Sequence, residues 1–145
     1  MNIHIREATN KDIAGITRLT NQLGYIGSEA FTAENFAQIQ QTKNGVVYVA
    51  VDEDNLTGWL HVSKVVTLES GCFYEILGLV VDETHRNHGF GKLLLQQAIQ
   101  WSRNGGAELL RVRSNIKRRE AHSFYIKLGF IEMKEQKVFS LSFTT

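Results

Sequence analysis

Apolar residues along this chain recur with two periods, and each switch of period marks a change of element. Ile3-His4-Ile5-Arg6 alternates and predicts a short strand. Ile13, Ile16, Leu19 and Leu23 recur at helical spacing, so residues 11–23 predict an amphipathic helix, with Thr9 or Asn10 placed to cap it. The stretch from Gly24 to Ser28 is a break. Thr32-Ala33-Glu34-Asn35 reads as a second helix start, with Phe36 and Ile39 on its buried side. The irregular connection from Gly24 to Thr32 could form one wall of a site.

Gly45 to Val51 is a β-rich run, Asp52 to Asn55 a turn, and Leu56 to Val66 a second strand carrying Trp59, His61 and Ser63 on one face. After Glu69-Ser70-Gly71, Cys72 to Val81 predicts a third antiparallel strand. It is apolar on both faces, as a covered central strand should be. Phe90, Leu93, Leu94 and Trp101 share one side of the next helix, which Asn104-Gly105-Gly106 stops. Glu108 to Arg113 is a short strand, and a right-handed crossover places it parallel to the strand before Arg86. Residues 117–128 predict a helix with Ala121, Phe124, Tyr125 and Leu128 on one side, ended by Gly129. Phe130–Met133 and Val138–Phe143 predict a final hairpin. The order is βααβββαβαββ, an α/β layer fold with a mixed sheet.

Composition narrows the class without naming a chemistry. A chain of 145 residues predicts a single domain, residues 1–145, with a real core. Apolar residues at 43% and charged residues at 21% fit an ordinary globular protein, and a net charge of +1 argues against a nucleic-acid or membrane partner. One cysteine excludes an internal disulfide framework and fits a cytoplasmic setting. No signal core or membrane-length apolar run is present.

Chemistry concentrates in Tyr74–Gln97, where a buried strand feeds a glycine-rich turn that opens a helix. Such a junction offers unpaired backbone N–H groups and partial positive charge, an anion site. A Walker loop does not fit: Arg86 stands where its first Gly would be, and Leu93 follows Lys92. The dinucleotide fingerprint fails because Leu94 occupies its third Gly position. Arg86-x-x-Gly89-x-Gly91 instead resembles the acyl-CoA pyrophosphate loop of the GNAT N-acetyltransferase superfamily. A second stretch, Ala121-His122-Ser123-Phe124-Tyr125-Ile126-Lys127-Leu128-Gly129-Phe130, is similar to that family's C-terminal motif, and the element order matches over essentially the whole chain.

The resemblance implies a mixed sheet splayed into a V, between the strand ending at Val81 and the strand ending at Arg113, with acetyl-CoA in the cleft. Backbone of Leu79, Val80 and Val81 would hold the pantetheine amides, as a sheet edge accepts a strand. Gly78 marks either a bulge or a close packing contact. Backbone N–H groups of Asn87, His88, Gly89, Phe90, Gly91 and Lys92 would hold the pyrophosphate, with charge from Arg86. Many members place Asn where Arg118 stands here, and Asn115 could serve instead.

The implied reaction is direct attack of a primary amine on the thioester in a ternary complex. Tyr125 matches the acid that serves the leaving thiolate; a thiol near pKa ~8.5 and a phenol near ~10 differ by about 1.5 units. Glu75, the only acid inside its strand, aligns with the base of some members. A free carboxylate near ~4.3 falls about 6 units short of an ammonium near ~10.4, a gap that burial and a bridging water would narrow. The oxyanion would meet a backbone N–H near Leu79–Val81. Cys72 reads as structural. His85 and His88 lack a third ligand, and no metal is expected. His122 reads as solvated. Two other readings stay open: a non-catalytic acyl-CoA sensor, and a nucleic-acid module using Arg111, Arg113, Lys117, Arg118 and Arg119. The acceptor is a small-molecule or peptide amine, and the protein a monomer or homodimer.

Overall fold

A computed structural model describes residues 2–114 and 116–144. Contacts divide the chain into two compact units that meet in sequence at Val112/Arg113. The first unit holds β1 (Ile3–Glu7), α1 (Ile13–Asn21), α2 (Glu29–Thr42), β2 (Gly45–Asp52), β3 (Asn55–Thr67), β4 (Gly71–Val81), α3 (Phe90–Asn104) and β5 (Leu110–Val112). The second holds α4 (Arg119–Lys127). The five strands form one sheet in the order β1-β2-β3-β4-β5. The first four are antiparallel neighbours, and β5 joins β4 in parallel, as the crossover through α3 requires.

Local chemistry explains most boundaries. Thr9 and Asp12 form a reciprocal capping box at a 3-10 turn leading into α1, so Thr9 rather than Asn10 is the cap. Helix α2 starts three residues before Thr32. Ser28 caps it by accepting from the Phe31 N–H, and Phe36 is its one fully buried side chain. The sparse apolar side hides that start from a periodicity reading.

The pleat sorts side chains onto two faces. On one, Val47, Val49 and Val51 pack with Ile13, Ile16 and Phe36 of the helices, and Trp59 joins them. On the other, a Cβ at Gly58 would meet Leu94 of α3, and Tyr74 donates from its hydroxyl to the Gly105 carbonyl at the end of α3. Phe73, Tyr74, Glu75 and Ile76 are buried in succession, so β4 is covered on both faces.

Residues 130–144 carry no strand, contrary to the expected final hairpin. Ile131, Met133, Val138, Phe139, Leu141 and Phe143 are exposed there. An alternating pattern makes a strand only where a neighbouring backbone accepts its hydrogen bonds, and an isolated hairpin is marginal in water.

Candidate active site

The site begins where β4 loses its parallel partner. Pairing with β5 covers only Tyr74↔Leu110, Glu75↔Arg111 and Ile76↔Val112, so Leu77–Val81 continue with β3 alone. Opposite this lapse β4 carries a bulge. His61 pairs with Gly78 and Val62 with Ile76, leaving Leu77 as the extra residue. Gly78 answers to both of its sequence readings. It adjoins the bulge, and an added Cβ would lie 2.6 Å from the Trp59 ring. Leu79 and Val81 are half-buried and Val80 is buried.

Glu75 is buried on β4, directly across from Ser63 of β3 and Arg111 of β5. Cross-strand partners leave a sheet on the same side. Glu75 therefore shares a face with Trp59, His61 and Ser63, the side on which α1 and α2 lie. Burial lowers the His61 pKa, which keeps its imidazole neutral at pH 7. The Trp59 indole Nε1 is buried and finds no acceptor among the described residues. The Arg111 guanidinium carbon stands 4.3 Å from the centroid of the Phe73 ring.

The turn after β4 is anchored by Asp82, which the sequence reading passed over. Asp82 accepts from the Thr84 N–H at 3.1 Å, the Thr84 hydroxyl at 3.0 Å, Arg18 at 3.2 Å and Gln22 at 3.4 Å. Burial pushes its pKa up, but the Thr84, Arg18 and Gln22 hydrogen bonds outweigh that and hold it down at about 2. Gln22 also accepts from the Glu83 N–H, so α1 clamps the turn at two points. His85 packs edge-on against Phe90 and lies 3.0 Å from the Thr84 hydroxyl, a structural arrangement.

Beyond this anchor the chain prepares an uncapped helix end. Asn87 and Gly89 take positive φ, 66° and 85°, and no side chain caps α3. The first intrahelical bond runs from the Leu93 N–H to the Gly89 carbonyl at 3.1 Å. The N–H groups of Phe90, Gly91 and Lys92 precede it and have no helical acceptor. The Phe90 side chain is 1% exposed and belongs to the core, so only its backbone can face a ligand. Arg86, His88 and Lys92 are exposed around this end.

In the second unit, Tyr125 is seated by the way α4 ends. Phe130 N–H bonds the Tyr125 carbonyl at 3.0 Å and Gly129 N–H bonds Ile126 at 3.1 Å, with Gly129 at φ 96°. This is a Schellman cap, and its usual apolar contact is the 5.6 Å edge-to-face pair of Tyr125 and Phe130. Burial raises the Tyr125 pKa, opposed by the charge of Arg118. The phenol is thus a hydrogen-bond donor at neutral pH. Arg118 stands at the start of α4 and His122 is half-buried on it. Asn115 lies outside the described residues.

Cys72, read as structural, is exposed. No group of three His, Cys, Asp or Glu residues among the described residues could hold a metal ion. Among the described residues, no helix is long and apolar enough to cross a membrane. Of the basic residues, Arg111 in the first unit lies over Phe73, and Arg113 in the second donates to Gln136 at 2.6 Å.

Known proteins share this fold. Residues 13–130 match the acetyltransferase (GNAT) family. An aminoalkylphosphonate N-acetyltransferase of Salmonella typhimurium is 31% identical over 132 residues, 87% of this chain and 83% of that protein. An uncharacterized N-acetyltransferase, YhdJ, of Bacillus subtilis is 36% identical over 66 residues, spanning 45% of this chain and 46% of its own length. The crystal structure of glucosamine-6-phosphate N-acetyltransferase from Arabidopsis thaliana shares the fold, with a TM-score of 0.85 at 20% identity, covering 98% of this chain and 100% of that one. The family match runs through both the uncapped start of α3 and the Tyr125–Phe130 cap, and the chain is an acyltransferase of the acetyltransferase (GNAT) family.

Proposed function

We propose that the protein moves an acetyl group from acetyl-CoA to a primary amine by direct attack in a ternary complex. One observation carries the reading. β4 sheds its parallel partner after Ile76 and runs on for five residues, Leu77–Val81, to a turn that leads into an uncapped helix. Five residues of backbone with one edge unpaired by β5, then N–H groups without helical acceptors, suit a ligand with amides followed by a pyrophosphate. Leu79, Val80 and Val81 would take the pantetheine amides. Asn87–Lys92 would take the pyrophosphate, with Arg86 adding charge. Arg118 and Asn115 are further candidate contacts. The acetyl-CoA thioester supplies the activated acyl group.

Glu75 would accept the amine proton, directly or through water. Its burial supports this role, because removal from bulk water strengthens a carboxylate's pull on a nearby ammonium. Tyr125 would donate a hydrogen bond to the departing thiolate. Its raised pKa disfavours full proton transfer, so stabilisation of the sulfur anion is the task assigned to it. The acceptor is a small molecule, a class supported by the Salmonella relative that acts on aminoalkylphosphonates. The family match over residues 13–130, which reaches into both units, supports reading the chain as a single N-acetyltransferase domain.

Thiol release from acetyl-CoA, screened across amine classes, tests the reading. Amine-dependent release is expected. Glu75→Gln should lower kcat by about 100-fold or more, and Tyr125→Phe by about 10- to 100-fold, both with little change in acetyl-CoA affinity. Donor binding without release for any amine would make the protein a sensor. Unchanged turnover in either variant would remove that residue from the mechanism.

A further inference from the structure

Acyl transfer as described uses Glu75 but leaves its cross-strand neighbour without a task. We propose that the amine acceptor also carries an anionic group, phosphonate, phosphate or carboxylate, and that Arg111 binds it; the inference rests on the reading of Glu75 as the base.

Glu75 and Arg111 are register partners on β4 and β5. A buried carboxylate and a guanidinium therefore leave the sheet on the same face, one strand apart. The guanidinium is held in place. It lies over the ring of Phe73, which is only 3% exposed and so cannot swing aside. A contact with the face of an aromatic ring uses none of the guanidinium's N–H donors. Those donors form a planar fork that matches two oxygens of a carboxylate, phosphate or phosphonate.

The spacing sets the size of the substrate. Phe73 and Glu75 are two residues apart on one strand, roughly 7 Å at strand rise. A molecule whose amine faces Glu75 while its anion reaches the cation at Phe73 needs a short spacer between them. The pair also discriminates. A fixed guanidinium repels a second ammonium, so diamines and polyamines meet a like charge where an anionic amine meets its counter-charge. β5 is the last strand of the sheet, and Arg111 is half-buried on it, consistent with access for a small ligand.

The test is thiol release with four amines of matched carbon skeleton: an aminoalkylphosphonate, the corresponding amino acid, the amino alcohol, and the diamine. Both anionic amines should exceed the amino alcohol in kcat/KM by about 10- to 100-fold, as expected for a charge-assisted hydrogen-bonded pair. The preferred anion identifies the headgroup. Arg111→Gln should raise KM for the anionic amines by a similar factor, leave kcat within about threefold, and leave the amino alcohol's KM unchanged. Arg111→Lys, which keeps the charge but not the fork, should fall between the two, and serves if the Gln variant does not fold. Methylphosphonate should compete with the acceptor in the wild type and lose that effect in Arg111→Gln. Equal use of the amino alcohol or diamine by the wild type would overturn the proposal while leaving acyl transfer intact. So would equal loss for charged and neutral amines in both Arg111 variants. Release with none of the four, nor with other amine classes, would instead take down the acyl-transfer reading itself.

Discussion

Gly89 and Gly129 have nearly the same backbone and opposite consequences. Both take left-handed dihedrals, φ 85° and 96°, and neither has an atom within 4 Å of an added Cβ. Each is therefore required for its conformation and not for lack of space. At Gly89 a helix opens with no side-chain cap, leaving amide donors for something outside the chain. At Gly129 a helix closes, and the Gly129 and Phe130 donors are taken by Ile126 and Tyr125. The first junction suits a ligand; the second makes a rigid seat for a side chain. A glycine motif is distinguished by whether the donors around it are satisfied.

Three measurements would break or sharpen that contrast. The largest effect is expected at the open junction. Gly89→Val places a β-branched residue at positive φ, costing about 1–3 kcal/mol of backbone strain and disturbing the amide donors. Its acetyl-CoA affinity, read by calorimetry, should fall by about 100-fold; normal affinity would sink the loop assignment. At the closed junction, Gly129→Ala should cost about 1–2 kcal/mol in thermal or urea melts. It should lower kcat by about tenfold through a misplaced Tyr125, with acetyl-CoA affinity within about twofold. A loss of affinity matching that of Gly89→Val would erase the distinction.

The smallest effect concerns what supports the open junction. The folded-state pKa of Asp82, about 2, lies below its unfolded value. Its contribution is fully present above the unfolded value of ~3.9 and is lost as pH falls toward and through 2. The gap corresponds to at most about 2.5 kcal/mol, reduced to roughly 1–2 because Arg18 is half exposed. Asp82→Asn should remove that part of the acid limb of stability between about pH 5 and 2. It should also weaken acetyl-CoA binding several-fold at neutral pH. An unaltered pH profile would show that the clamp from α1 does not stabilise the turn.

Much of this was legible along the chain, and unevenly. The sheet strands, the helix that follows Gly89 and the end of α4 all follow from local period or from a residue's need for positive φ. The start of α2 escaped because the signal there is a Ser28 cap and not an apolar stripe. Asp82 escaped because a lone aspartate in a polar turn looks like ordinary turn chemistry. Two of its partners, Arg18 and Gln22, stand 64 and 60 residues away. The final hairpin failed in the other direction. The alternation of residues 130–143 is real, but alternation specifies which side chains share a face and supplies no backbone partner.

The sequence by itself determined the order of elements as far as α4, the family, and the two glycine junctions, because each rests on interactions within a few residues. Tertiary structure alone decided that β4 parts from β5 at Ile76, that Trp59 closes over Gly78, that α1 clamps Asp82, and that Arg111 lies on Phe73 beside Glu75. These join residues from different strands and helices. Register and burial place them together, and neither is written in any local window.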